Sequence, residues 1–194
     1  MRFGLALAAL LLLATPAFAW EPSASVLALL ARGQTHVEVR PDDDGVSGLI
    51  RAAVEIDAPP ETVWKVLIDC DLAPRMAPNL KSCRTLERDP GGLWDVREQI
   101  ARPGLLPRFR SVVRSDFEPP RRLRFRRAGG DLKILEGEWR LFPLLNGART
   151  RVLYDSRASS PYRAPGGVVR LVLRRDVSLA LAALKRESLA RVVR

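Results

Sequence analysis

Histidine is nearly missing from this chain. His36 is the only one, and cysteine occurs just twice, at Cys70 and Cys83. A single histidine excludes the multi-histidine cages of catalytic zinc. Two cysteines this far apart exclude a CxxC redox pair and a four-cysteine metal site. HExxH, GxSxG and a glycine-rich phosphate loop are all absent. No catalytic constellation, metal or cofactor is therefore expected. Aromatic residues make up only 6 % of the chain, so each one that falls on a buried face matters.

No apolar run reaches the roughly 20 residues that a bilayer-spanning helix needs. The longest stands at the start, where Arg2 is followed by apolar residues from Leu5 to Ala14, then Pro16 and the triplet Ala17-Phe18-Ala19. That is the layout of a secretory signal peptide, with cleavage expected after Ala19. The alternative is an N-terminal anchor, for which the run is short. The expected organisation is a signal peptide at 1–19, an N-terminal helix and strand extension at 20–45 and one domain at 46–194. The expected location is secreted or periplasmic. In such an oxidising compartment Cys70 and Cys83 are expected to join, the alternative being two buried thiols.

Acidic side chains are in the minority, 22 against 32 lysines and arginines, for a net charge of +10. All but four of the basic residues are arginine. In the cytosol this balance would suggest nucleic acid. An exported protein rarely meets any, and the arginines are spread along the chain, so no nucleic-acid partner is expected. The densest group is "RRLRFRR", Arg121 to Arg127, with five arginines in seven residues. In a strand, Leu123 and Phe125 would point one way and Arg122, Arg124 and Arg126 the other. The row should continue over Arg108, Arg110 and Arg114 as the charged outside of a sheet. An anionic membrane surface is the partner such a row could meet transiently.

The rest of the pattern is mixed. "EPSASVLALLARG" reads as a short helix stopped at Gly33. "QTHVEVR" and "GLIRAAVEID" read as strands around "PDDDG". In the second strand Ile50, Ala52, Val54 and Ile56 alternate with Arg51, Ala53 and Glu55, which predicts one buried and one wet face. "APPETVWKVLIDC" has helical spacing at Val63, Trp64, Leu67 and Ile68, and Pro74 and Pro78 prevent its continuation. From Lys81 to Arg157 strands alternate with hairpin-length turns, so an antiparallel sheet is expected. A helix of about 39 Å is expected from Val168 to Val193, with Val169, Leu173, Val177, Ala180 and Leu184 as its apolar stripe.

The order of strand, short helices, strands and long C-terminal helix resembles the helix-grip fold of the START-like (SRPBCC) superfamily. "VEIDAPPETVWKVLIDCDLAPRMAPNLKSCRTLERD" is similar to the opening of its coenzyme Q-binding, polyketide cyclase/dehydrase branch. The shared segment is I-x-A-P-x-E-x-V-W-x-V-L-x-D. "GDLKILEGEWRLFPL" and "RRDVSLALAALKRE" resemble that branch's later strand and final helix. The resemblance spans about residues 46 to 190. It implies an α+β fold, with a curved antiparallel sheet around the last helix and an apolar cavity between them. The implied partner is a hydrophobic small molecule, a lipid or polyprenyl quinone.

Strand alternation then selects a candidate lining. Trp94, Val96, Glu98 and Ile100 are expected inward on one strand, and Phe109, Ser111, Val113, Ser115 and Phe117 on the next. Phe125, Trp139 and Tyr154 follow on later strands, Trp64 on the second helix, and Val169, Leu173 and Val177 on the last. Glu98, Ser111 and Ser115 would be the polar contacts for a ligand's head. The alternatives are a cyclase- or hydrolase-like enzyme with Glu98 as general base in the same cavity, or an envelope interaction domain with the cavity filled. Leu105 and Leu106, at a hairpin tip, and the "SSPYRAPGG" segment are candidate gates.

Overall fold

A computed structural model of the chain describes residues 20–42, 47–159, 161–162 and 166–192. The expected signal peptide, most of the "PDDDG" turn and parts of "SSPYRAPGG" lie outside the described residues. Eight strands form one sheet: β1 (His36–Pro41), β2 (Ser47–Ile56), β3 (Leu80–Arg88), β4 (Trp94–Ala101), β5 (Phe109–Glu118), β6 (Arg122–Gly130), β7 (Leu135–Leu144) and β8 (Arg149–Ser159). The helices are α1 (Ala24–Ala31), α2 (Pro60–Leu67), α3 (Ala73–Met76) and α4 (Gly166–Val192). The spatial order is β1-β2-β8-β7-β6-β5-β4-β3. All neighbours are antiparallel. Strands β3 to β8 form a sequential meander, and the β1–β2 hairpin is added beside β8. This is the START-like helix-grip fold.

Local chemistry sets the helix boundaries. Ser23 caps α1, its side chain accepting from the Val26 N–H, and Gly33 leaves the helix at φ +75°. Pro60 begins α2 where no N–H is needed, with Glu61 in the first turn facing the positive end of the dipole. Val63, Trp64 and Val66 of α2 are buried against the sheet's inner face, among Ala52, Val54 and Ile56 of β2, Val152 of β8 and Leu141 of β7. Leu181 and Leu184 of α4 complete that core. Burial of each such aliphatic side chain contributes about 1.5–3 kcal/mol.

The other face of β2 is not wet. Ala53 is fully buried because α1 lies over it, with Val26 and Leu30 packed on Ala53 and Leu153. Glu55 is buried as well, held by Arg151 at 2.8 Å and Arg149 at 3.5 Å. An alanine and a charged residue read as exposure, yet a helix and two guanidiniums cover them. Trp20, ahead of α1, stacks on His36 at 5.8 Å.

Arg122, Arg124 and Arg126 of "RRLRFRR" face outward and have partners, whereas the register sets Arg127 opposite Val113, on the side of Leu123 and Phe125. Arg124 meets Glu138 at 3.8 Å and Arg126 meets Asp116 at 3.4 Å, while Arg122 pairs with Glu118. Arg127 instead donates to the carbonyls of Leu132 and Gly130. Exposed pairs of this kind contribute little each, but they leave these arginines with nearby counter-charge.

Cys70 and Cys83 form a disulfide across a sequence separation of 13. It fastens the α2–α3 turn to edge strand β3. Replacing both (Cys70→Ala with Cys83→Ala) should lower stability by about 3 kcal/mol, read as a lower denaturant midpoint, while the same double variant and reduced wild type should coincide. A second prediction concerns His36. Burial, followed by Arg174, lowers its pKa from 6.5 against an opposing effect of Glu38. As pH falls through 6.5 the unfolded chain takes up a proton that the folded chain refuses, so stability declines and then levels off below the folded value. His36→Phe should remove that slope in melting curves.

Candidate functional site

The inner face of the sheet is wider than its helices. Among the strands, α4 packs on β1 and β2, α2 on β7 and β8, and α3 on β3. The inner face between them carries an aromatic group. Trp139 and Tyr154 are cross-strand partners with ring centroids 4.2 Å apart, and Phe125 stacks on Tyr154 at 6.2 Å and 13°. All three are only partly buried, although they pack against the main core. Burial of its hydroxyl end pushes the Tyr154 phenol above its ordinary pKa. Gly137 lies opposite Phe125 on one side and Ser156 on the other. A Cβ there would stand 2.3 Å from the Asp155 carbonyl oxygen, so only glycine fits beneath these rings.

Strand β5 adds Ser111, Val113, Ser115 and Phe117 to the same face. Phe117 meets Trp64 of α2 edge-on at 5.9 Å. Phe109, at the start of β5, is half-buried and meets Tyr162 edge-on at 6.1 Å. Tyr162 also donates to the Pro107 carbonyl, so the segment before α4 is tied to the base of the β4–β5 hairpin. Leu105 at that hairpin's tip is 97 % exposed.

Strand β4 reverses the expectation. The β4–β5 register sets Asp95 opposite Ser115, Arg97 opposite Val113 and Gln99 opposite Ser111. Asp95, Arg97 and Gln99 therefore share the inner face, while Trp94, Val96, Glu98 and Ile100 lie on the outer one. Trp94 is covered there by the Arg114 guanidinium at 4.2 Å. Glu98 bridges Arg110 at 2.5 Å and Arg84 at 3.1 Å, and the hydrogen bond from Arg110 holds its pKa below the usual glutamate value. It is not a buried base of raised pKa. The residues that reasoning from sequence misses are Asp95 and Arg97. Charged side chains read as the wet side of a strand, but these two pair with one another. Their spacing of two, with opposite charges on one strand face, is the available signal.

The pair is buried. Asp95 is 1 % and Arg97 7 % exposed. Arg97 Nη2 lies 2.6 Å from Asp95 Oδ2 and donates to the Ile68 carbonyl at 2.7 Å, and the guanidinium sits 5.9 Å from the Phe117 ring centre. Asp95 Oδ1 is buried with no hydrogen-bond partner among the described residues. On α4, Val177 joins the core, whereas Val169 and Leu173 are half-buried and belong to neither core cluster. The deeper positions are Leu181, Leu184 and Ser188, so the buried stripe lies farther along the helix than expected.

The family described as polyketide cyclase/dehydrase and lipid transport matches residues 56–185. No curated protein matches the chain. A STAR-related lipid transfer protein from Xanthomonas axonopodis is similar in structure, with a TM-score of 0.67 and 17 % identity over 89 % of this chain and 99 % of that one. The protein TTHA0849 from Thermus thermophilus has a TM-score of 0.62 and 24 % identity, covering 74 % of this chain and 98 % of that one. The Zhui aromatase/cyclase from Streptomyces sp. R1128 has a TM-score of 0.57 and 21 % identity, covering 75 % and 93 % respectively. At these identities the likeness is one of fold.

The buried pair makes an energetic prediction. Arg97→Met leaves Asp95 without its counter-ion and should cost about 3–5 kcal/mol, while adding Asp95→Leu should restore most of that loss. Chemical denaturation of the two variants measures both steps. Equal stability of the single and double variants would contradict the pairing.

Proposed function

The chain belongs to the polyketide cyclase/dehydrase and lipid transport family, and from that premise we propose that it binds and carries an apolar small molecule of lipid or polyprenyl-quinone type. The ligand lies on the inner face beside Phe125, Trp139 and Tyr154. One observation carries this reading: three aromatic rings face inward yet stay partly exposed, on strands that α4 approaches less closely than β1 and β2. Apolar surface of this kind gains about 25 cal/mol per Å² when a ligand takes it out of water. Val113 and Phe117 extend the same surface.

The polar end of the ligand lies near the Asp95–Arg97 pair. An unpaired buried carboxylate oxygen is costly, and a hydroxyl or other donor on the ligand would satisfy Asp95 Oδ1. The Ser111 and Ser115 hydroxyls, buried on the adjacent strand, add a neutral polar lining. This arrangement orients a ligand without activating it, because Arg97 holds Asp95 in an ion pair. Binding is thus favoured over the cyclase-like alternative, whose base, Glu98, stands on the opposite face. Export is part of the proposal. The Cys70–Cys83 disulfide suits an oxidising compartment, and among the described residues no helix is long and apolar enough to cross a membrane.

Native mass spectrometry of protein purified from its own host should find a retained apolar molecule. Phe125→Ala should weaken rebinding of that molecule about tenfold through lost contact area. Absence of any retained ligand, together with no uptake of a fluorescent lipid probe, would refute the reading.

A further inference from the structure

The first half of α4 presents an anomaly. Arg170 stands about two, three and five turns ahead of Val177, Leu181 and Ser188 on the same side of the helix. That side is apolar and packed in the second half. In the first half it carries Arg170 and Arg174, and both are exposed. Between this part of α4 and edge strand β1 lies a groove of about 530 Å³, lined by His36, Val37, Glu38, Val39, Gly167, Arg170, Leu171 and Arg174. It shares no residue with the aromatic surface on β6, β7 and β8.

The charge in this groove is unbalanced. Most outer-face arginines have a carboxylate within reach, but Arg170 and Arg174 make no ion pair among the described residues. The acid in the groove's own wall, Glu38, and the next one along the helix, Asp176, are engaged elsewhere. Glu38 is bound by Arg40 at 2.7 Å, and Asp176 accepts from Asn79 Nδ2 at 2.5 Å with Arg175 beside it. Gly167 brings the helix's first turn, whose N–H groups have no acceptor within the helix, into the same wall. Leu171 stands beside these cations, and Val168 and Val172 lie on the far side of the helix from Arg170; they are 71 %, 54 % and 41 % exposed respectively. Cations interleaved with exposed aliphatic residues on one helical segment suit the interface of a bilayer.

We propose that this groove seats the phosphate-bearing headgroup of an anionic membrane lipid, gripped by Arg170 and Arg174, while Val168, Leu171 and Val172 enter the acyl boundary. The site does not depend on what the inner face binds. A free phosphate ion would satisfy the arginines but would leave the aliphatic side chains in water, which is why a lipid is the occupant.

The test is sedimentation of the protein with vesicles of phosphatidylcholine, alone or mixed with phosphatidylglycerol. The mixed vesicles should be bound and the neutral ones only weakly. Arg170→Gln with Arg174→Gln should weaken binding to mixed vesicles roughly thirtyfold, the loss expected when two basic residues are removed from an anionic surface. Leu171→Ser, which keeps both arginines, should also weaken it. Arg124→Gln with Arg126→Gln removes equal charge from the outer face and should change binding less than about threefold. Circular dichroism melts check that each variant is folded. The proposal is overturned by no binding to mixed vesicles, by no loss in the groove variant, or by equal loss in both double variants. Inorganic phosphate that raises the melting temperature of the wild type, but not of the groove variant, in the absence of vesicle binding would assign the site to free phosphate and overturn the lipid.

Discussion

One helix cannot cover eight strands. Strands repeat at about 4.8 Å, so this sheet is roughly 34 Å across even before curvature, against about 10 Å for a helix with its side chains. The fold must cover the remaining inner face in other ways. Here α4 takes the β1–β2 side, α2 crosses to β7 and β8, and the disulfide anchors the turn beyond α2 to β3. What is left over is the surface around Phe125, Trp139 and Tyr154. The surface offered to the proposed apolar ligand follows from this mismatch of widths, before any particular ligand is considered.

The same space explains the cost that the chain tolerates on β4. Asp95 and Arg97 are taken out of water on a face whose neighbours are Phe117 and Val113. Two desolvated charges gain from each other and from the Ile68 carbonyl, but such a pair seldom stabilises more than well-packed apolar residues would. On this face the pair also leaves Asp95 Oδ1 without a partner among the described residues, which is the group the proposed ligand would meet. Gly137 belongs to the same design, since a side chain there would collide with β8 and disturb the stacked rings above it.

Much of the architecture is legible in the sequence because periodicity and punctuation report it directly. Pro60, Gly33 and the turn residues between strands mark element ends, and the alternation in β5 puts Ser111, Val113 and Ser115 on their observed face. The failures share one physical cause, which is that charge reads as exposure. On β4, Trp94, Val96 and Glu98 read as inward since two of them are apolar, and the Asp95–Arg97 pair reads as wet. On β2, Ala53 and Glu55 also read as wet, but α1 and two arginines bury them. The spacing of two between opposite charges marks Asp95 and Arg97 as a pair, but whether the pair is buried is set by cross-strand register and helix placement, which a single strand does not encode. The α4 stripe is shifted for a related reason. Val169 and Leu173 have the right spacing, but they lie ahead of the stretch that packs into the core, which begins at Val177.

The two faces of the sheet thus have different tasks. The outer face is a lattice of arginine–carboxylate pairs closed by α1, and the inner face combines aromatic surface with one buried charged pair. Tryptophan fluorescence separates them most directly, because Trp139 is on the inner face and Trp94 on the outer. Variants retaining a single tryptophan at either position can be titrated with a lipid whose acyl chain carries bromine. A ligand held on the inner face should quench Trp139 saturably and leave Trp94 unaffected. Quenching of Trp94 alone, or of neither residue, would contradict an inner-face site.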